Sequence, residues 1–245
     1  MRYLIRFSYD GTNFFGYQKQ VNKRTVQGEL ENVLSRISKT RVLVSASGRT
    51  DALVHAINQY AHFDLNIHIS CNDLKRALNS LLPNDIYIKS VSNVLDSFHA
   101  RFDVLKKEYI YKINLGEFDP FSRNYIYQYN QELDIVKMVQ AIEYFKGKHN
   151  FKSFTKSNND IVDYEREIYD ATIRVENHIM TISFIGNGFL RYMVRNMVGT
   201  LISVGEGKTE PDEILEIFKC EDRTKAKKTA PANGLYLKNV YYALN

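Results

Sequence analysis

The chain has no tryptophan, two cysteines and four prolines in 245 residues. Each scarcity removes a class of protein. Cys71 and Cys220 are far apart, with no C-x-x-C spacing and no histidine-rich neighbour, so they form neither a disulfide framework nor a zinc site by themselves. No apolar run reaches the roughly 20 residues needed to cross a bilayer. The opening MRYLIRFSYDGT mixes arginines into an alternating pattern and lacks the apolar block of a secretory leader. A cytoplasmic protein without a membrane partner is expected. With little proline and no low-complexity tract, order is expected almost throughout.

Three catalytic signatures are also missing. GEGKTE, at 205–210, imitates a phosphate-binding loop, but the first glycine would have to stand at Ile202, and a helical pattern precedes it instead of a strand. His55 and His62 flank a strand pattern without a third ligand or an HExxH spacing, which gives no metal site. No G-x-S-x-G elbow occurs, so a serine hydrolase has no support.

What remains is ordinary in bulk. Hydrophobic residues are 44% and charged residues 25%, as in most globular domains. The length fits one large domain or two small ones. A net charge of +5 permits nucleic acid as a partner without identifying it. Seventeen tyrosines and fourteen phenylalanines beside many lysines and arginines suit base stacking, although aromatics also fill cores.

Periodicity supplies the elements. RYLIRFSYD alternates, with Tyr3, Ile5, Phe7 and Tyr9 on one face, and reads as a strand. TVQGELENVLSRIS carries Val26, Leu30, Val33, Leu34 and Ile37 at helical spacing. RVLVSAS (41–47) and NQYAHFDL (58–65) read as strands. NDLKRALNSLLP is a helix capped by Asn72 and stopped by Pro83. DIYIKSVSNV and RFDVLKKEYIYKINL return to strand. In the second half, 132–149 reads as a helix with Met138, Val139, Ile142 and Phe145 inward. The segments from Arg166 and His178 form a hairpin turning at Asn177-His178. Helices over 188–205 and 210–220 and a strand over 234–244 close the chain. Consecutive strands with tight links argue for antiparallel pairing and an α+β fold, with two halves, 1–104 and 105–245, whose strands share a sheet.

Three segments carry chemistry. SASGRTDALVHA delivers Asp51 from the end of a strand, beside Arg49 and Thr50; alone, that carboxylate is a turn residue or half of a salt bridge as readily as a nucleophile. SFHARFDVLKKEYIYKI places Tyr109 and Tyr111 on one face of a strand. GFLRYMVRNMVG sets Arg191 and Arg195 four apart on one helix face, with Phe189, Met193 and Met197 on another. A basic residue on an otherwise apolar helix calls for an anion.

Together these segments resemble the tRNA pseudouridine synthase A (TruA) family. The likeness runs through SYDGTNFFGYQKQ with TVQGELENVL, GRTD..VHA..Q..HF, SFHARF with K.Y.Y.I, GFLRYMVRNMVGTL and APANGLYLKNVYY, in order and over nearly the whole chain. The resemblance implies two α/β, RRM-like halves whose strands merge into a mostly antiparallel sheet flanked by helices, with the active-site cleft between them. It implies a homodimer that needs no cofactor and no metal. The substrate would be the anticodon arm of tRNA, where uridine 38, 39 or 40 is isomerised. By the same likeness Asp51 is the nucleophile and Arg195 the cation that pairs with it. Tyr109 stacks on the target base and serves proton transfer at C5, and Arg49 contacts the RNA around the extracted nucleotide.

Two positions depart from the family. Leu53 replaces the usual glycine after GRTDA, which is expected to exclude backbone geometry with positive φ and to alter substrate breadth. Tyr17 stands where tryptophan is common. Two rivals remain: an RNA-binding module without catalysis, which would dispense with Asp51 or Tyr109, and a glycosidase built on Asp51, which would need a second carboxylate. Lys106–Lys107, 146–152 and Arg223–Lys228 are candidate stretches of a basic track, with affinity for RNA falling steeply with salt.

Overall fold

Tyr3, Ile5, Phe7 and Tyr9 alternate along the first strand, and in the computed structural model all four are buried. The structure describes residues 1–156 and 163–243. In chain order the elements are β1 (Arg2–Tyr9), α1 (Val26–Ser38), β2 (Ser45–Ala46), β3 (His55–Asp64), α2 (Cys71–Leu81), β4 (Ile86–Val94) and β5 (Val104–Asn114). There follow β6 (Tyr127–Gln128), α3 (Ile135–Glu143), β7 (Gly147–Asn150), β8 (Glu165–Glu176), β9 (Ile179–Gly186), α4 (Met193–Gly205), α5 (Glu213–Cys220) and β10 (Leu235–Tyr242). The class is α+β, with mostly antiparallel pairing.

The chain divides into two compact units, Met1–Leu105 with Tyr236–Asn245, and Lys106–Leu235. In the first, the strand order is β4-β1-β3-β10, with β2 on β3. β1 pairs antiparallel on both sides, with β3 and β4. β10 joins β3 in parallel, Tyr236 opposite His55 and Leu237 opposite Ala56. That pairing groups the closing strand with the first unit, although it follows the second in sequence. In the second unit the order is β5-β9-β8-β7, every pair antiparallel, while α3 packs on α4 and β8.

The hairpin between β8 and β9 turns at Asn177 and His178, as the sequence indicates. Both have positive φ, 49° and 62°, the geometry of the tight turn whose twist matches its strands. Other boundaries differ for local reasons. The strand read over 41–47 keeps only Ser45–Ala46 on the ladder, because helix α1 takes the earlier amides. Val42 N–H donates to Ser35 Oγ, and Val44 N–H to the Glu31 carboxylate. α2 is capped by Ser70 instead of Asn72: Ser70 Oγ accepts from Asp73 N–H at 3.1 Å. The helix read over 132–149 stops at Glu143, Gly147 has φ 92°, and β7 follows. Val139 is exposed there, not inward. The strand read to 244 ends at Tyr242, and Leu244 lies outside the described residues.

Two buried polar groups have measurable consequences. Tyr17 is 2% exposed, and its hydroxyl has no hydrogen-bond partner among the described residues. Burial, with Tyr9 and Glu31 nearby, pushes its ionisation well above the ordinary range. Removing an orphaned hydroxyl relieves a desolvation cost, so Tyr17→Phe is expected to stabilise the fold by about 1 kcal/mol. The reading is a higher urea midpoint at unchanged m-value. His62 is buried on β3, its Nδ1 accepting from Ala100 N–H at 3.1 Å. Burial first, then His99 and Arg2, outweigh Asp64 and Asp103 and lower its pKa to about 4. The unfolded chain therefore takes up that proton first, near 6.5. The contribution of His62 is complete above about pH 6.5 and is lost as pH falls toward 4. Urea midpoints measured across that window should fall less steeply for His62→Gln than for the unmodified protein, and equal slopes would contradict this account.

Candidate active site

The loop that carries Asp51 is fixed at both ends. Before it, Ser47 N–H donates to Tyr60 O at 2.8 Å. The fully buried Gln59 accepts from Ser47 Oγ at 2.5 Å and donates to Gly48 O at 3.0 Å. Thr50 is buried; its hydroxyl bonds Tyr9 OH at 2.7 Å, and its carbonyl accepts from Tyr17 N–H at 3.1 Å. After it, Val54 N–H donates to Asp51 O at 3.2 Å, closing a turn. Asp51 is half-buried at the head of this turn, and Arg49 is exposed.

The other wall is SYDGTNFFGYQKQ. Gly16 has φ 93°, and a Cβ there would come within 2.9 Å of Thr50 O and 3.3 Å of the Asp51 carbonyl carbon. A Cβ on Gly11 would collide with the Val54 carbonyl. Gly11 N–H lies 3.0 Å from His55 Nδ1, which is also 3.2 Å from Asp10 Oδ1, and the ring stacks on Tyr236 at 4.7 Å. Arg24 ties this segment down with a fork to Asp85 at 2.7 and 2.8 Å, an Nε bond to Glu29, and its face over Phe14. The two stretches that look separate in sequence form one structural element.

In the second unit, Tyr109 lies on β5 opposite Phe184 of β9. It is 8% exposed, and its ring meets Phe189 edge-on at 5.0 Å. Tyr111, two residues on, is fully buried and donates to Pro231 O at 2.7 Å. Arg195 is held by the same stretch. Its Nε donates to Ala230 O at 2.8 Å, and Ala230 N–H returns to Arg195 O at 3.0 Å. Gly199 permits this approach, since a Cβ there would strike the Lys228 carbonyl. APANG therefore holds both the tyrosine strand and the arginine helix.

One expectation about this helix is corrected. α4 begins at Met193, after Tyr192 at φ 61°, so Arg191 and Phe189 precede it and Arg191 does not share a helix face with Arg195. Both guanidinium groups instead lie over the Tyr192 ring, at 5.2 and 4.9 Å. Met193 and Met197 are fully buried.

Of the four site residues named from sequence, Asp51 and Arg49 belong to the first unit and Tyr109 and Arg195 to the second. The sequence reading missed the groups that hold them: Gly11, Gly16, Gln59, Gly199 and Ala230. The glycines inside otherwise aromatic or helical runs were the available signal. The basic segments also divide. Every lysine of 146–152 meets a carboxylate: Lys146 pairs with Glu143 and Asp170, Lys148 with Glu165, and Lys152 with Glu221. Arg223 spends its guanidinium on Ala226 O, Asn196 Oδ1 and Thr229 Oγ1, at 2.7 to 2.8 Å. The three lysines of 146–152 and Arg223 thus have structural partners within the unit. Among the described residues, no group of three His, Cys, Asp or Glu side chains could hold a metal ion.

A family model described as tRNA pseudouridine synthase matches residues 5–103 and 141–243. The chain belongs to the tRNA pseudouridine synthase family. Members of this enzyme family isomerise uridine to pseudouridine. The chain is similar to the tRNA pseudouridine synthase A of Geobacillus sp. (strain WCH70), 50% identical over 237 residues and 96% of each chain. It is 47% identical to that of Anoxybacillus flavithermus (strain DSM 21510 / WK1) over 96% of each chain. It is 45% identical to that of Thermosipho melanesiensis (strain DSM 12029 / CIP 104789 / BI429) over 98% of this chain and 99% of the relative.

Within this synthase, Leu53 overturns the expectation drawn from it. Its φ is 67°, so the leucine has not excluded the left-handed conformation. Leucine branches at Cγ, not Cβ, and this side chain is 45% exposed. The turn closed by Val54 N–H and the burial of Val54 hold the backbone there. The conformation costs a residue with a Cβ about 1–2 kcal/mol. Leu53→Gly should therefore raise stability by about 1 kcal/mol, and Leu53→Val, β-branched, should lower it. Urea titration of the two variants checks the sign of each.

Proposed function

We propose that this chain converts uridine to pseudouridine in the anticodon arm of tRNA, at one or more of positions 38, 39 and 40, with Asp51 as the nucleophile. The observation that carries this reading is the fixing of the Asp51 backbone, by Gln59 and Tyr9 on one side and by the Gly11–Gly16 wall on the other. A nucleophile must be held to a fraction of an ångström, and an ordinary surface turn has no need of such walls. The names of the relatives support tRNA as the substrate.

The reaction breaks the N1–C1′ bond, turns the uracil and forms a C5–C1′ bond. N1 ends protonated and C5 loses its hydrogen, so the change is redox-neutral and is written without a cofactor or metal. Asp51 acts ionised, and Arg195 supplies the counter-charge that favours that form. Tyr109 stacks on the extracted base and serves proton transfer at C5. Arg49, exposed beside Asp51, contacts the RNA from which the nucleotide is withdrawn. The working enzyme is a homodimer in the cytoplasm; a monomer by light scattering at assay concentration would contradict the first part.

Tritium release from tRNA labelled at uridine C5 tests the reaction. Release by the unmodified protein and none by Asp51→Ala, with tRNA binding retained, is the expected result. Equal release by both would remove Asp51 as nucleophile. Free uracil among the products would mark a glycosidase instead, and binding without release would mark a module that only holds RNA.

A further inference from the structure

SFHARF takes no part in the chemistry above, yet it is among the most heavily braced turns in the first unit. His99 N–H donates to Asp103 Oδ2 at 2.8 Å, and Arg101 N–H to His99 Nδ1 at 3.1 Å. Phe102 and Asp103 N–H both donate to His99 O. Ala100 N–H reaches His62, and Ala100 O accepts from Tyr242 OH at 2.6 Å. Arg2 donates to Phe98 O at 2.9 Å. What this bracing presents is Phe102, 73% exposed.

Phe102 ends a series of rings that runs outward through the buried His62. Tyr242 meets Phe98 at 5.3 Å, Phe98 meets His62 at 6.5 Å, His62 meets His99 at 4.6 Å, and His99 meets Phe102 at 4.3 Å and 31°. The Arg101 guanidinium lies 5.7 Å from the last ring. The outermost members are planar and one is cationic. A further planar, electron-rich ring continues such a series, and a backbone phosphate beside it would meet Arg101.

We propose that His99, Arg101 and Phe102 form a stacking platform for an unpaired base of the tRNA, distinct from the uridine that reacts. The proposal rests on the tRNA reading given above. The Asp51 turn adjoins the His55 end of β3, while the platform adjoins His62. Seven residues of strand separate the two by about 23 Å. One nucleotide cannot reach both, so the platform meets another part of the same RNA. It adds to affinity and not to the chemical step.

Binding of full-length tRNA, followed by fluorescence anisotropy, tests this with three variants. Phe102→Ala is expected to weaken binding about tenfold without changing the salt slope or the tritium-release rate at saturating tRNA. Phe102→Tyr keeps the ring and should bind like the unmodified protein. Arg101→Gln should lower the slope of log K against log salt by about one. Unchanged binding by Phe102→Ala, while the unmodified protein binds tRNA and releases tritium, would overturn the platform and leave the tRNA reading intact. If the unmodified protein fails to bind tRNA, both readings fall. A change of sedimenting mass in Phe102→Ala would show Phe102 to be a contact between copies of the chain, and would also overturn the proposal.

Discussion

No methyl group fits at position 11 or 16, and the placement of Asp51 depends on that. The backbone of 10–17 lies so close to 50–54 that the carbonyls of Thr50 and Val54 occupy the space a side chain would take. Contact at backbone range is stiffer than contact through side chains, because no rotamer can give way. Around it the polar groups follow: Tyr9 on Thr50, Tyr17 N–H on Thr50 O, His55 on Gly11. Arg24 keeps the wall in place from behind through Asp85 and Glu29.

The second unit repeats the device with different parts. Gly199 lets the Lys228–Ala230 stretch lie on α4, and Ala230 then bonds both the backbone and the side chain of Arg195. One residue further, Pro231 O receives the Tyr111 hydroxyl. A strand side chain and a helix side chain are thus referred to one short stretch of backbone. The guanidinium is thus oriented by fixed backbone, which lowers the ordering cost of the interactions it makes.

Much of this was legible in the sequence because it depends on periodicity or on a single residue's chemistry. β1, α1 and the Asn177-His178 turn read directly, and Asp51, Arg49, Tyr109 and Arg195 stood out by family resemblance. What escaped depends on partners distant in sequence. The strand over 41–47 looked regular, yet Ser35 and Glu31 take its amides, and nothing local announces that a helix will compete for them. The start of α4 was read at 188 instead of Met193, since GFLRYMVRN keeps helical spacing through a turn that Tyr192 breaks with positive φ. Leu53 misled for another reason. A preference of 1–2 kcal/mol for glycine is a bias that tertiary packing overrides, not a prohibition. The glycines at 11, 16 and 199 were visible as residues, but the backbone each one admits was not.

The paired lysines of 146–152 bear on how a polyanion approaches. Each holds a carboxylate within 4 Å, so beyond a Debye length of about 8 Å these three lysines add little net positive field. A phosphate backbone drifting toward them is not drawn in by these lysines. Long-range guidance must come from elsewhere on the surface, and nonspecific nucleic acid has little reason to linger on them. The formal charge of +5 therefore overstates how readily this stretch collects unrelated RNA.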